Sequence, residues 1–405
     1  MQNVNAVNAV PCSGCGGCAA ICPKGAIHLE LDKKGFFRAV VQEALCVGCG
    51  LCRKVCHRFE QREKSVSLYD AKLYALQSAE AGTVQKCSSG GIAHELAVQM
   101  LSGGGKVAGA VYDLNGNSVR HEIVSDAENV SRLDGSKYLQ SNPEMAFAEA
   151  LREAQHTPYA VFGTPCQIAA LSAAAELRGV RDQLLLVEIF CHGVPSYKLW
   201  EKTLNKVERK LGTERFEDVQ FRYKKDDWHS YCLKITGNGK SYYGKRETEL
   251  FWQVFFENIL LGDACQTCQA RRTESRADIR LGDYWGSRFQ HRSDGVSAVF
   301  ACTPRGENAI ERLLSEGRVT ALVASDAAEM LSAQNMEGYH HNKLHEEAMA
   351  VLEKQGLDAA VSYYRSRQSG KQKLKRVLLQ VSTLIPDPVR AKLRKANSSR
   401  LLRKS

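Results

Sequence analysis

The chain has 405 residues, 44% of them hydrophobic and 25% charged, an ordinary globular composition with length for about two or three domains. Its net charge of +10 is concentrated at one end. Residues 366–405 hold twelve Lys or Arg against the single acid Asp387, leaving the other 365 residues at −1. A basic face on a folded body is what nucleic-acid binding needs, so nucleic acid is excluded as the expected partner. No apolar run approaches the roughly 20 residues of a membrane span. The opening MQNVNAVNAV lacks the basic and apolar regions of a secretory signal, and the cysteine usage described next points to the cytoplasm.

Residues 1–60 form the first expected domain. Cys12, Cys15, Cys18 and Cys22 are spaced C-x2-C-x2-C-x3-C, and Cys46, Cys49, Cys52 and Cys56 repeat that spacing. This is the run that holds 4Fe–4S cubanes in bacterial ferredoxins, where the fourth Cys of each run ligates the other cluster. Crossing them gives one cluster on Cys12, Cys15, Cys18 and Cys56, and another on Cys46, Cys49, Cys52 and Cys22. Structural zinc and disulfides are the competing readings, and two complete four-Cys runs at this spacing suit both badly. His57 departs from the pattern: it stands where the first run has Pro23.

The polar stretch 61–71 reads as a linker, and Lys72–Gln77 alternates like a strand. Ser88-Ser89-Gly90-Gly91 makes a small open loop at the start of a helix over Ile92–Leu101, a ready place for a phosphate or another anion. A plain tight turn before a helix is the other reading. Strands are expected at Lys106–Tyr112 and Val119–Val124, then a helix over about residues 143–155. Twice a hydrophobic strand, first Tyr159–Phe162 and then Leu184–Phe190, runs into a Gly/Pro turn carrying a Cys: Gly163-Thr164-Pro165-Cys166 and Cys191-His192-Gly193-Val194-Pro195. In open α/β sheets, ligands bind beyond the C-terminal ends of strands, so chemistry belongs at these turns. Further strands are expected at Val219–Tyr223, Tyr231–Ile235, Val296–Ala301 and Val319–Val323, with helices near Leu250–Leu261 and Glu307–Ser315. The expected fold is an α/β catalytic domain with a mixed sheet at 72–325, preceded by a small α+β dicluster ferredoxin domain. A helical extension at 326–365 and a basic tail at 366–405 follow.

Seven short motifs occur in order: SSGG, GSKY, GTPCQ, CHGVPS, FRYKKDDW, CxxC and ADIRLGDYWG. In this set the chain resembles the coenzyme F-420 hydrogenase/dehydrogenase beta-subunit family over about residues 70–305, or 1–305 counting members with a fused ferredoxin. The resemblance implies FAD in the α/β domain beside one or more cubanes, with electrons passed between a hydride carrier and iron–sulfur centres. It implies backbone contacts to flavin from Ser88, Ser89, Gly90 and Gly91. It further implies a cation, Lys137, at the pyrophosphate or the ring, a hydroxyl from Thr164 beside Gly163, and contacts from Asp283 and Trp285. Each has an ordinary alternative: Lys137 at the surface, Asp283 in a turn, Trp285 in the core.

Cys87, Cys232 and Cys302 read as buried small side chains. Cys166, Cys191, Cys265 and Cys268 together supply four thiolates, enough for a third 4Fe–4S cluster, with a shared structural zinc as the competing reading. His192 is the candidate proton donor, against the commoner reading of a His bonded to a backbone carbonyl. With Lys137 it makes the expected catalytic pair. The tail segment Leu374–Ile385 reads as a basic amphipathic stretch suited to an anionic membrane surface, at the inner face of the membrane, or else as a solvated tail. The expected activity is that of an iron–sulfur flavoprotein oxidoreductase. It takes electrons from ferredoxin or another redox partner protein and exchanges hydride with an organic acceptor or a deazaflavin. The alternatives are a non-catalytic electron-transfer subunit of a larger complex, or a binding protein that kept only the clusters. No cysteines of a hydrogenase nickel site are present.

Overall fold

The structure, a computed structural model, describes residues 3–5, 11–59, 65–224, 227–334 and 342–382. Residues 61–64 of the expected linker and 383–405 of the expected tail lie outside these.

At the N-terminal end, strands Ile27–Leu31 and Phe37–Val41 pair antiparallel, flanked by short helices Gly17–Ile21 and Leu51–Lys54. Cys18, Cys52 and Cys56 share a small core with Ile27 and Val41. This small domain is docked firmly on the body. Glu144 accepts from His28 Nδ1 and from the Leu29 amide, both at 2.9 Å. The Phe37 amide donates to Gln140 Oε1 at 2.7 Å, and Gln140 Nε2 donates to the Ser13 carbonyl at 2.9 Å. At Gly14, with φ +63°, a Cβ would lie 2.3 Å from Gln140 Nε2, so only glycine permits this approach. The stretch expected as linker is partly structured: Val66–Ser67 pairs antiparallel with Glu274–Ser275.

The body is built on a nine-stranded mixed sheet. Its spatial order is Val319–Leu322, Lys72–Ser78, Ser297–Ala301, Ile279–Asp283, Leu184–Ile189, Tyr159–Gly163, Lys106–Asp113, Ser118–Val124, Ser141–Asn142. The central four strands, from Ile279–Asp283 to Lys106–Asp113, are mutually parallel. On one flank the strands run antiparallel, and on the other an antiparallel pair leads to the two-residue edge strand, which joins it in parallel. A strand covered on both faces must be apolar at every position, and Leu184–Val187 obeys. Leu184 and Leu186 pack against the helix Pro165–Arg178 on one face, Leu185 and Val187 against Ile92–Ser102 and Pro304–Ser315 on the other.

A second layer contains a three-stranded sheet (Asp218–Gln220, Cys232–Gly237, Lys240–Lys245) and the helices Tyr197–Leu211 and Leu250–Phe256 around Trp200, Phe221 and Trp252. The helices His345–Gln355 and Leu357–Arg367 complete that core. Two expected elements stop early here. The strand expected over Val219–Tyr223 ends at Gln220 because Phe221 turns into the aromatic core and Arg222 into a buried ion pair. The helix expected to Leu261 ends at Phe256, and Asn258 takes a positive φ of 56°.

Candidate iron–sulfur and cofactor site

The N-terminal thiols lie close enough to influence one another across both runs. Burial, then Cys56 and Cys12, push Cys15 up to about 12. Cys18 is raised by burial and then by Cys15, Cys12, Cys56 and Cys52. Cys52 is raised by burial, with Cys49 and Cys22 as its charged neighbours. Thiols that oppose one another's ionisation in this way suit a cation or metal cluster that takes all their charge at once. The donor sets therefore fit two cubanes.

The three adjacent parallel strands Ile279–Asp283, Leu184–Ile189 and Tyr159–Gly163 all deliver their C-terminal ends to one region, where the sequence placed the chemistry. Thr164 caps the helix Pro165–Arg178 through a capping box with Gln167, which sets Cys166 in its first turn. Cys191 follows the neighbouring strand, and its Sγ accepts from the Gly193 amide at 3.5 Å. Gly193 has φ +106°, and a Cβ there would lie 2.8 Å from Leu261 Cδ1 and 3.2 Å from Cys265 Cβ. Cys166, Cys191, Cys265 and Cys268 line one cavity with Thr164, Ala264 and Arg271. Burial, then neighbouring thiols, push Cys265 up to about 12, and burial above all pushes Cys191 up to about 11. Four thiols lining one cavity fit a further cubane better than a single tetrahedral zinc, since among the described residues only Cys87, His94 and Asp134 bring three ligand atoms within 4.8 Å of one another.

The opposite wall of that cavity comes from the small domain: Ser13, Gly14 and His57. His57 Nε2 lies 3.1 Å from Ser13 Oγ. After burial, the charge of Cys15 is the largest influence raising Cys166. The helices on either side meet closely, for a Cβ on Gly17 would lie 2.6 Å from that of Ala170. His57 thus fills a position between two thiol sets. Its spacing marked it only as an exception to the Pro pattern, and nothing local could reveal its neighbours.

Of the expected flavin residues, Ser88–Gly91 lie beside the segment that carries Lys137, whereas Thr164 lies at the thiol-lined cavity with its hydroxyl donating to Gln167 Oε1 at 3.0 Å. Both serine hydroxyls are already used inside the protein: Ser88 Oγ accepts from the Ser136 amide at 2.7 Å, and Ser89 Oγ donates to the Val296 carbonyl at 2.7 Å. Gly91, at φ +89°, leads into the helix Ile92–Ser102, which has no side-chain cap. Its first amides are suited to an anion. Lys137 Nζ donates to the carbonyls of Leu133 and Asp134 at 2.9 Å, and burial lowers it to about 8. Lys224, which sequence reasoning missed, donates to the carbonyls of Val84, Ser89 and Asp294 at 2.6–2.7 Å. Burial brings it, too, down to about 8. The uncapped helix start offers free amides to a phosphate, and the buried Lys224 and half-buried Lys137, each already donating to three main-chain carbonyls, add only their charge.

Asp283 and Trp285 are engaged with the protein itself. The Asp283 carboxylate takes Arg222 Nη1 at 3.0 Å and Trp228 Nε1 at 2.8 Å, and Trp285 stacks on Trp228 at 5.1 Å. His192 Nε2 lies 3.3 Å from the Gln334 carbonyl, and burial lowers its pKa. Its ring has the backbone partner of the commoner reading. Cys232 and Cys302 are buried as expected. Cys87 is buried as well, but in polar company: its Sγ lies 3.6 Å from Asp134 Oδ1, which also takes His94 Nδ1 at 2.9 Å. That set joins residues 47 positions apart, a separation that hides it from sequence reading.

Comparison with known proteins gives two matches. Residues 156–326 match the family model for the C-terminal part of the coenzyme F420 hydrogenase/dehydrogenase beta subunit, and residues 11–58 match the 4Fe-4S dicluster domain. No curated protein matches the chain. Among solved structures it is similar to a chain of the F420-reducing [NiFe] hydrogenase complex from Methanosarcina barkeri. Identity is 19%, with 68% of this chain and 92% of that one covered, at a TM-score of 0.46. On the two family matches, the chain is related over residues 156–326 to the C-terminal part of the coenzyme F420 hydrogenase/dehydrogenase beta subunits and carries a 4Fe–4S dicluster domain over residues 11–58.

Proposed function

We propose that this protein is a FAD- and iron–sulfur-dependent oxidoreductase. It moves electrons between the N-terminal clusters and a flavin beside the Ser88–Gly91 loop, by way of a third cubane on Cys166, Cys191, Cys265 and Cys268. The observation that supports this most is the shared cavity, with four thiols on one side and Ser13, Gly14 and His57 of the ferredoxin domain on the other. Clusters held on Cys12, Cys15, Cys18 and Cys56 and on the four body cysteines would supply one-electron carriers on adjoining sites, as the influence of Cys15 on Cys166 indicates. A bound flavin supplies the exchange between hydride pairs and single electrons, which cubanes alone cannot perform.

The chain's own residues hold and shield. Lys224 ties the Ser88–Gly91 loop to the segments on either side of it, and Lys137 places a second cation nearby. Pro165, Val194 and Ala264 give the cavity part of its apolar lining. His192, next to Cys191, is the residue we assign to the proton that accompanies hydride transfer to an organic acceptor or a deazaflavin. Anaerobic stopped-flow mixing with reduced ferredoxin tests the route. Flavin absorbance bleaches in the wild type, and Cys166→Ser slows the bleaching at least about tenfold while leaving flavin bound. Equal rates in both proteins would refute it. Turnover by the isolated chain distinguishes an enzyme from a relay subunit.

A further inference from the structure

The last described helix, Gly370–Ser382, carries an apolar stripe that is left at least half exposed among the described residues. Leu374, Val377, Leu378 and Val381 follow the i, i+3, i+4, i+7 pattern, and each is at least half exposed. At 100° per residue they span an arc of about 100°. Lys371 falls on one edge of this arc and Lys373 on the other. The helix is also rooted. Ser369 and Gln372 cap its start reciprocally, with the Ser369 amide donating to Gln372 Oε1 at 2.8 Å and the Gln372 amide donating to Ser369 Oγ at 3.3 Å. Gln368, itself buried, donates to Glu257 Oε1 at 3.0 Å and accepts from Arg376 Nη1 at 2.5 Å. Its base is thereby fixed to the helix Leu250–Phe256 and its direction is set by the body.

We infer that this helix docks the protein on an anionic lipid surface, its stripe lying at the acyl boundary and its flanking lysines at the lipid phosphates. The charge pattern selects this occupant. A soluble monomer rarely leaves such a stripe uncovered. Lysines on both edges of an apolar stripe suit a bilayer interface, where their stems lie along the lipid and their ammonium groups reach the headgroups. Two copies meeting stripe to stripe would bring four rows of like charge together. Beyond Ser382 the sequence adds seven more Lys or Arg against Asp387 alone, which extends the same attraction. Among the described residues no helix is long and apolar enough to cross a membrane, so contact through this helix is peripheral. The inference is independent of the cofactors.

Flotation of the full chain with vesicles tests it. The wild type is expected to float with vesicles containing about one third phosphatidylglycerol, and about tenfold less with pure phosphatidylcholine or in high salt. Leu374→Glu with Leu378→Glu is expected to lower flotation about tenfold, with circular dichroism and iron content unchanged because both positions are exposed. Lys371→Gln with Lys373→Gln is expected to weaken anionic binding selectively. Equal flotation of the wild type and the Leu→Glu variant would overturn the inference, as would a wild type that ignores anionic vesicles. A dimer seen by light scattering, abolished by Leu→Glu in a protein that does not float, would assign the stripe to a second copy instead.

Discussion

Lys224 shows how much the site depends on single buried charges. Its ammonium is buried and satisfied only by the main-chain carbonyls of Val84, Ser89 and Asp294. Lys224→Met leaves three acceptors without their donor. We predict a loss of about 1–3 kcal/mol in urea denaturation, together with weaker flavin retention, since the loop it ties is the proposed cofactor loop. Lys137 allows a pH test whose sign is fixed. Burial brings its folded pKa to about 8, whereas an unfolded lysine titrates near 10.4. Between these values the unfolded chain binds more protons, so this group's contribution to stability rises with pH across the window. Measured without cofactors, the stability of the wild type relative to Lys137→Met should therefore increase from about pH 8 to about pH 10; a flat or falling difference would contradict the assigned burial. The eight N-terminal cysteines were legible from spacing alone, because a cubane run is a local pattern. Lys224 was not, since its partners lie up to 140 residues away and the FRYKK stretch reads as ordinary strand.

At the scale of elements, the decisive piece is the short helix Asp263–Gln266, which carries Cys265, with the loop after it, which carries Cys268. Arg280, fully buried on the central strand Ile279–Asp283, pins it by donating to the carbonyls of Ala270, Arg272 and Glu274. Its charge is balanced by Glu188 on the adjacent strand, which also takes Ser275 Oγ at 2.6 Å. Arg280→Met should loosen this loop and lower bound iron from about twelve to about eight atoms per chain, as Cys268→Ser does directly. Iron analysis after anaerobic reconstitution reads both, and unchanged iron in Cys268→Ser would remove Cys268 from the ligand set. Glu188→Gln leaves Arg280 with its charge uncompensated and should cost about 3–5 kcal/mol in denaturant unfolding. The C-x2-C spacing and the strand-end cysteines could be read from sequence. That the loop is held by an arginine inside ADIRLGDYWG could not, because a buried Arg in a strand looks like a polar, outward-facing position until its partner strand is known.

For the whole molecule, the arrangement joins two modules that sequence reading treated as separated by a linker. The docking contacts are polar and specific: Glu144 takes two donors from the cluster domain, and Gln140 Nε2 donates to the carbonyls of Ser13 and Phe37. Glu144→Ala should leave both modules folded while slowing electron passage from the N-terminal clusters, a change visible as slower flavin bleaching with unchanged iron content. The alternation of strands and helices was enough to foretell a mixed α/β sheet, since the apolar runs at Tyr159–Phe162 and Leu184–Phe190 are local signals. The face on which the ferredoxin domain settles is set by Gly14, Gly17, Gln140 and Glu144 acting across more than 100 residues, and no periodicity encodes that.

The central claim is a continuous iron–sulfur path leading to a flavin within one polypeptide. An anaerobic inventory of iron, sulfide, zinc and flavin tests it most directly, on wild type and Cys166→Ser reconstituted with iron, sulfide and FAD. The account predicts about twelve irons and one flavin in the wild type, and about eight irons with flavin retained in the variant. About eight irons in both proteins, zinc on the four body cysteines, or no bound flavin would contradict it.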